Sequence, residues 1–259
     1  MIRYRFMPMK IICDNPEYKN DLSRISETLF LEPVSGTEKI PEEEVYLSFD
    51  EGGLSLRSGS LSYRGDFSEM ERRVRNGLYQ HELLVKAAKL KEKGAHPLAL
   101  DLTAGMGNDA FLLAAAGFQV IMIEHDPVIA TLLRDALRRG REEEALAGIL
   151  SRMTLLEGDS LQEIAGIPET PDIIYLDPMF PERKKTGLVK KKFQLLHKLE
   201  KPCENGEELL WAALRKRPQR VIIKRPANGP TLGGMKPDWS LQGGQIRYDV
   251  FTRKGETHG

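Results

Sequence analysis

From residue 97 onward the chain repeats one pattern: a short apolar run, a break, then a longer stretch of helical character. The runs are Pro97-Leu98-Ala99-Leu100, Phe118 to Ile123, Met153 to Leu156, Ile173-Ile174-Tyr175-Leu176 and Arg220-Val221-Ile222-Ile223. Runs this short and this apolar read as strands buried on both faces, the habit of parallel sheets. Between them, Ala110 to Ala116 is rich in helix formers. Pro127 opens a further helix over Val128 to Arg139, as proline does in a first turn, and another begins near Leu161. A last strand is expected over Gln245 to Thr252. Such alternation predicts an α/β fold built on a doubly wound sheet.

The first third reads differently. Tyr18 to Leu29 has helical character, whereas Glu44 to Phe49 alternates like a strand. Asp50-Glu51-Gly52-Gly53 is a turn and Leu54-Ser55-Leu56-Arg57 returns, so a hairpin is expected. Asp66 to Leu78 and Glu82 to Lys93 read as helices. The organisation expected is therefore a small α+β subdomain over 1–60, a helical linker over 61–95 and the α/β domain over 96–259. The prolines and glycines between Pro226 and Gly244 predict a long loop on the rim of the crevice.

Candidate chemistry sits where the apolar runs end. The first run enters Asp101-Leu102-Thr103-Ala104-Gly105-Met106-Gly107-Asn108-Asp109. Strand, glycine turn and helix form the ligand-binding unit of doubly wound sheets, and glycine admits a close backbone approach. The dinucleotide fingerprint Gly-x-Gly-x-x-Gly is absent. S-adenosylmethionine carries no phosphate, and an acid such as Asp101 suits its ammonium end. Asp109 is either a charge favoured by the helix dipole or a cofactor contact. Glu124 lies about 20 residues past the glycine loop, where an acid meets ribose hydroxyls. His125 is either beside the ribose or adenine, or on the surface. Asp159 and Ser160 read as adenine contacts or as caps of the next helix.

The fourth run enters Asp177-Pro178-Met179-Phe180-Pro181. The prolines stop the strand and display a carboxylate, a carbonyl and an aromatic face at its carboxyl end. This resembles the Asp/Asn-Pro-Pro-Tyr/Phe motif of methyltransferases that act on exocyclic amines of nucleobases, with Met179 replacing the second proline. Asp177, Pro178 and Phe180 are the candidate catalytic residues.

Charge adds a partner. The chain carries 38 Lys/Arg against 38 Asp/Glu, yet Arg183 to Arg225 holds fourteen Lys/Arg and four Glu. Arg183, Lys184, Lys185, Lys190, Lys191 and Lys192 follow directly on the Asp177 motif, where RNA phosphates would need neutralising. Lys224 and Arg225 end the fifth run and are expected to face the same crevice. Arg64, Arg72, Arg73 and Arg75 could also meet RNA, but a solvated helix face accounts for them better. Cys13 and Cys203 lie far apart without metal-ligand neighbours, so neither a disulfide scaffold nor a metal site is expected. The sequence shows no apolar stretch of membrane length and no signal segment, and a cytoplasmic protein is expected.

Taken together, these elements resemble the RsmJ family of bacterial 16S rRNA guanine-N2 methyltransferases. The likeness rests on Asp101 to Phe111, Glu124 to Val128, Tyr175 to Pro181, Leu188-Val189-Lys190-Lys191, Val221 to Pro226 and Arg247 to Phe251. It covers roughly residues 44–252. The resemblance implies a Rossmann-like class I methyltransferase sheet and S-adenosylmethionine as cofactor. It also implies 16S rRNA or the 30S ribosomal subunit as partner, with no metal and no membrane. By similarity the cofactor contacts fall on Asn108, Asp109, Glu124, His125, Asp159, Ser160 and Asp177, beside the glycine loop of Gly105 and Gly107.

Overall fold

The computed structural model describes residues 9–13, 23, 25–27, 29–34, 40–91, 94–178, 195, 196, 199 and 205–253. Strands β1 (Lys10–Ile12), β2 (Glu32–Val34), β3 (Tyr46–Asp50), β4 (Gly53–Ser58) and β5 (Leu61–Tyr63) form one sheet in the order β2-β1-β3-β4-β5. The expected hairpin is its antiparallel β3–β4 pair. The second sheet is the expected doubly wound one. It holds β6 (Leu98–Asp101), β7 (Gln119–Glu124), β8 (Met153–Glu157), β9 (Ile173–Leu176), β10 (Arg220–Pro226), β11 (Trp239–Gly243) and β12 (Ile246–Thr252). Their order is β11-β12-β10-β9-β6-β7-β8. The strands from β8 across to β10 are parallel, and β12 and β11 complete the sheet in antiparallel register.

The strand order reverses between β6 and β9, because β7 and β8 are laid down on one side of β6 and β9 returns on the other. Doubly wound sheets bind ligands at this switch point, at the carboxyl ends of the strands. Asp101 and Tyr175 are paired across it, so the glycine loop and the Asp177 motif leave the sheet side by side.

Alternation along each strand sorts side chains to two faces. On β9, Ile174 and Leu176 join a core with Leu100, Ile123, Ile164, Leu209 and Ile223. Ile173 and Tyr175 point the other way, into a larger core with Phe111, Leu133 and Val250. Helices α1 (Leu83–Ala87), α2 (Asn108–Ala115), α3 (Pro127–Arg141) and α4 (Glu144–Leu150) contribute to the larger core. Helices α5 (Ser160–Gly166) and α6 (Gly206–Arg215) contribute to the smaller one. The first sheet packs on α3, and its Ile11, Leu47, Leu54 and Leu56 are continuous with the larger core. The Leu54 amide donates to the buried Asp135 carboxylate of α3 at 3.0 Å, which leaves no orphaned donor at that junction.

Three expectations are corrected. Helix does not run unbroken from Asp66 to Leu78: after short helical turns, Asn76 and Gly77 take left-handed φ values of 55° and 77° and the chain becomes a loop. The next helix stops at Ala87 rather than Lys93, where the Arg220 guanidinium donates to the Ala87 carbonyl at 2.5 Å. The stretch from Pro226 to Gly244 contains β11, whose five residues alternate half-buried with exposed along the sheet edge. Flanking proline and glycine hid so short a strand.

Phe67 ties the first half of the chain to the second. Its buried ring stacks on Phe111 of α2 with centroids 5.4 Å apart. Phe67→Ala should lower unfolding free energy by about 3–5 kcal/mol in denaturant titration. A loss under about 1 kcal/mol would show that this contact is not part of the core.

Candidate active site

The glycine loop is shaped by carboxylates on both sides. Asp101 is buried, and its Oδ1 accepts the Thr103 amide at 3.0 Å. Burial pushes its carboxyl up to about 8, and the charges of Asp109, Asp177 and Glu124 push the same way. Gly105 and Gly107 take φ of 52° and 74°, which lets the loop turn and expose its backbone to the crevice. The Gly105 amide donates to Glu124 Oε2 at 2.8 Å, and the Asp126 amide donates to Oε1 at 2.8 Å. Each carboxylate oxygen has two lone pairs. Glu124 therefore ties β7 to the glycine loop and retains acceptor sites for a diol. His125 is exposed with Nδ1 3.4 Å from Glu124, and hydrogen bonding to that carboxylate raises its pKa.

At the next strand end the capping roles are realised. Asp159 Oδ1 accepts the amides of Leu161 and Gln162 at 2.8 and 3.3 Å. Ser160 Oγ donates to the Leu102 carbonyl at 2.6 Å and so anchors α5 to the glycine loop. Asn108 is exposed and lines a cleft with Tyr63, Arg64, Asp66, Phe67 and Met106.

A five-residue network occupies the switch point. Lys224 Nζ stands 2.8 Å from Asp109 Oδ2 and 2.8 Å from Asp177 Oδ2. Tyr175 donates its hydroxyl to the same Asp109 oxygen at 2.6 Å. The Asp177 amide donates to Thr103 Oγ1 at 2.7 Å. Glycine loop, β9 and β10 are thus cross-linked through polar atoms. Burial alone would lower the Lys224 ammonium, but the two carboxylates outweigh it and hold it above the usual lysine range. Burial raises the Asp177 carboxyl, while Lys224 pulls it down. Its side chain is still 38% exposed toward the crevice, so one face remains open to a ligand.

The expectation that Lys224 and Arg225 both face the crevice fails on strand alternation. Lys224 points into the site. Arg225 points to the opposite face, where it is buried and donates to the Pro230 carbonyl at 2.9 Å through Nε. It presents no surface to RNA. Phe180, Arg183, Lys184, Lys185, Lys190, Lys191 and Lys192 lie outside the described residues. Thr103 and Tyr175 were not singled out from sequence. Tyr175 carried a signal, since a hydroxyl in an otherwise aliphatic buried strand needs a partner.

Among the described residues, four acids and one ammonium make the crevice acidic, which suits a ligand bearing a sulfonium and an ammonium. A glycine loop that opens its backbone and an acid at the second strand end suit its ribose. The residues present fit S-adenosylmethionine, and the fold is that of the Rossmann-like class I methyltransferases. Residues 35–253 match the family model described as "Putative SAM-dependent methyltransferase". A SAM-dependent methyltransferase from Neisseria gonorrhoeae has a similar solved structure: TM-score 0.72, 27% identity, covering 95% of this chain and 97% of that one. Ribosomal RNA small subunit methyltransferase J of Stutzerimonas stutzeri is 39% identical over 226 residues, 84% of this chain and 86% of the relative. The Pseudomonas syringae pv. tomato protein of the same name is 44% identical over 174 residues, 67% of this chain and 64% of the relative. The chain thus spans just under two thirds of that relative's length. It belongs to the family of ribosomal RNA small subunit methyltransferase J.

Two outcomes test the electrostatics. A carboxyl whose pKa is raised on folding contributes stability that is full below its unfolded value and lost as pH rises through the folded one. The ligand-free chain should therefore lose stability between pH 4 and about 8, and Asp101→Asn should flatten that decline in denaturant midpoints. Identical pH profiles for the two would remove the charge penalty at Asp101. In Lys224→Met, loss of the ammonium should raise the Asp177 carboxyl further. The acid limb of the methyl-transfer rate should then move to higher pH, with partial recovery in Lys224→Arg. An unmoved limb would separate Lys224 from Asp177.

Proposed function

We propose that the chain transfers a methyl group from S-adenosylmethionine to the exocyclic N2 of a guanosine near the 3′ end of 16S rRNA. The observation that carries this reading is the placement of Asp177-Pro178 at the switch point, beside the glycine loop, with the Asp177 amide fixed by Thr103 and its carboxylate by Lys224. The relatives named ribosomal RNA small subunit methyltransferase J support the substrate class. Among the described residues no helix is long and apolar enough to cross a membrane, and the cytoplasm, where 30S subunits are made, is the compartment this reading assigns.

An exocyclic amine is a weak nucleophile because its lone pair is delocalised into the ring. The Asp177 carboxylate and the Pro178 carbonyl would accept its two N–H bonds, which orients the nitrogen and returns electron density to it. Phe180, two residues on, would stack on a base drawn out of its helix. When bound, S-adenosylmethionine supplies an electrophilic methyl on sulfur. The chain's part is then positioning. After transfer the methylated nitrogen is acidic, and Asp177 is the acceptor at hand for the proton. Glu124 would hold the ribose hydroxyls, and Asp101 would answer the positive end of the cofactor.

Asp177→Ala should reduce transfer at least about 100-fold, the scale of losing one preorganised transition-state contact, a larger loss than any weakening of cofactor affinity. The assay is labelled transfer to 30S subunits lacking their native modification, followed by nucleoside mass spectrometry. N2-methylguanosine in 16S rRNA from the unmodified chain is the expected product. Label in another nucleoside, or undiminished turnover in Asp177→Ala, would overturn the reading.

A further inference from the structure

Between Glu71 and Glu82 the chain carries three arginines, Arg72, Arg73 and Arg75, and no acid. The fold sets this stretch beside the active site. Phe67, just before it, packs on Phe111 next to the glycine loop. Leu83, just after it, lies against Gly243 at the β11–β12 turn. The segment therefore crosses from the cofactor side of the sheet to its β11–β12 edge. The hydrogen bond to Glu82 raises the Arg73 pKa, and the charge of Asp109, the residue that Lys224 and Tyr175 share, pushes weakly the same way.

The segment is a shaped loop rather than a helix face. Arg73 and Glu82 close its base with two parallel bonds, Nε to Oε1 at 2.7 Å and an Nη to Oε2 at 2.8 Å. Inside that clasp the left-handed Asn76 and Gly77 turn the backbone. With Arg73 committed to the clasp, Arg72 and Arg75 are left exposed, and neither has an acidic partner among the described residues. Leu78 beside them is 50% exposed. Two exposed guanidinium groups on a clasped loop lie beside a site that, on the rRNA reading, receives one base of a strand, and so near the phosphates that flank that base. Each guanidinium presents a planar fork of donors suited to a phosphate.

We propose that this loop is a phosphate grip for the RNA strand that carries the target base, with Arg72 and Arg75 as the contacts and the Arg73–Glu82 clasp as the support that positions them. The inference rests on the rRNA reading above and adds to it a set of phosphate contacts from the stretch between Glu71 and Glu82.

The test uses the full chain and an in vitro transcribed 3′ domain of 16S rRNA, with binding measured at several salt concentrations. Each phosphate contact to single-stranded RNA adds about 0.7 to the slope of log affinity against log salt. The double variant R72Q/R75Q should lose roughly 1.4 from that slope, while its affinity for S-adenosylmethionine, read by calorimetry, stays unchanged. R72K/R75K should keep most of the slope, because the contact is largely one of charge. A slope and affinity equal to wild type in R72Q/R75Q would overturn the grip. So would unchanged RNA binding with loss only on assembled 30S subunits, which would assign the loop to a ribosomal protein. If the unaltered chain neither binds nor methylates the rRNA, it is the rRNA reading that fails. If it does both and R72Q/R75Q matches it, only the loop assignment fails.

Discussion

The site depends on one ammonium shared by two carboxylates. Lys224 sits between Asp109 and Asp177 at 2.8 Å from each, and without it the neighbouring acids Asp101, Asp109, Glu124 and Asp177 would repel one another uncompensated. The pair it makes with Asp109 holds the start of α2 near β10. The pair with Asp177 holds the residue that would meet the substrate. Tyr175 and Thr103 complete the frame from β9 and the glycine loop. Because its members come from the glycine loop, α2, the end of β9 and β10, the frame exists only when the parallel order β10-β9-β6 is in place. Fold and chemistry are therefore linked through buried polar atoms and not only through the apolar cores.

Among the described residues one ammonium does not neutralise these acids, and the remaining negative charge is functional in this account. Asp101 carries the clearest mark of it: a buried carboxyl raised by desolvation and by three neighbouring acids. A ligand with fixed positive charge relieves that stress, whereas a neutral or anionic one does not. The same logic separates this glycine loop from those that cradle pyrophosphate, which direct backbone donors and helix dipoles at an anion.

Much of this was legible in the sequence because strand ends announce themselves. Apolar runs of four to six residues, each followed by an acid, placed Asp101, Glu124, Asp159 and Asp177 at one edge of one sheet, and three of them converge as read. Asp159 was open between contact and cap, and its cap is what the geometry shows. The misreadings have physical causes. Lys224 and Arg225 are neighbours in sequence, and a strand sends neighbours to opposite faces, so only one could join the crevice. The expected helix over Asp66 to Leu78 overrode a signal the sequence carried, since Asn76-Gly77 is a dipeptide that favours left-handed turns; both residues take positive φ, and the Arg73–Glu82 pair closes the loop nine residues apart. Strand β11 was hidden by its shortness. Tyr175 looked like one more apolar strand residue, and its hydroxyl partner lies 66 residues away in sequence.

The central claim is that a buried Asp101, raised by burial and by neighbouring acids, waits for a cationic cofactor. It is tested most directly by the affinity of the full chain for S-adenosylmethionine, measured by calorimetry from pH 6 to 8.5 in buffers of different ionisation enthalpy. Binding should tighten toward pH 8 and release protons, because the bound cation favours the ionised form of Asp101. Affinity that is flat across this range, with no proton released, would contradict the account.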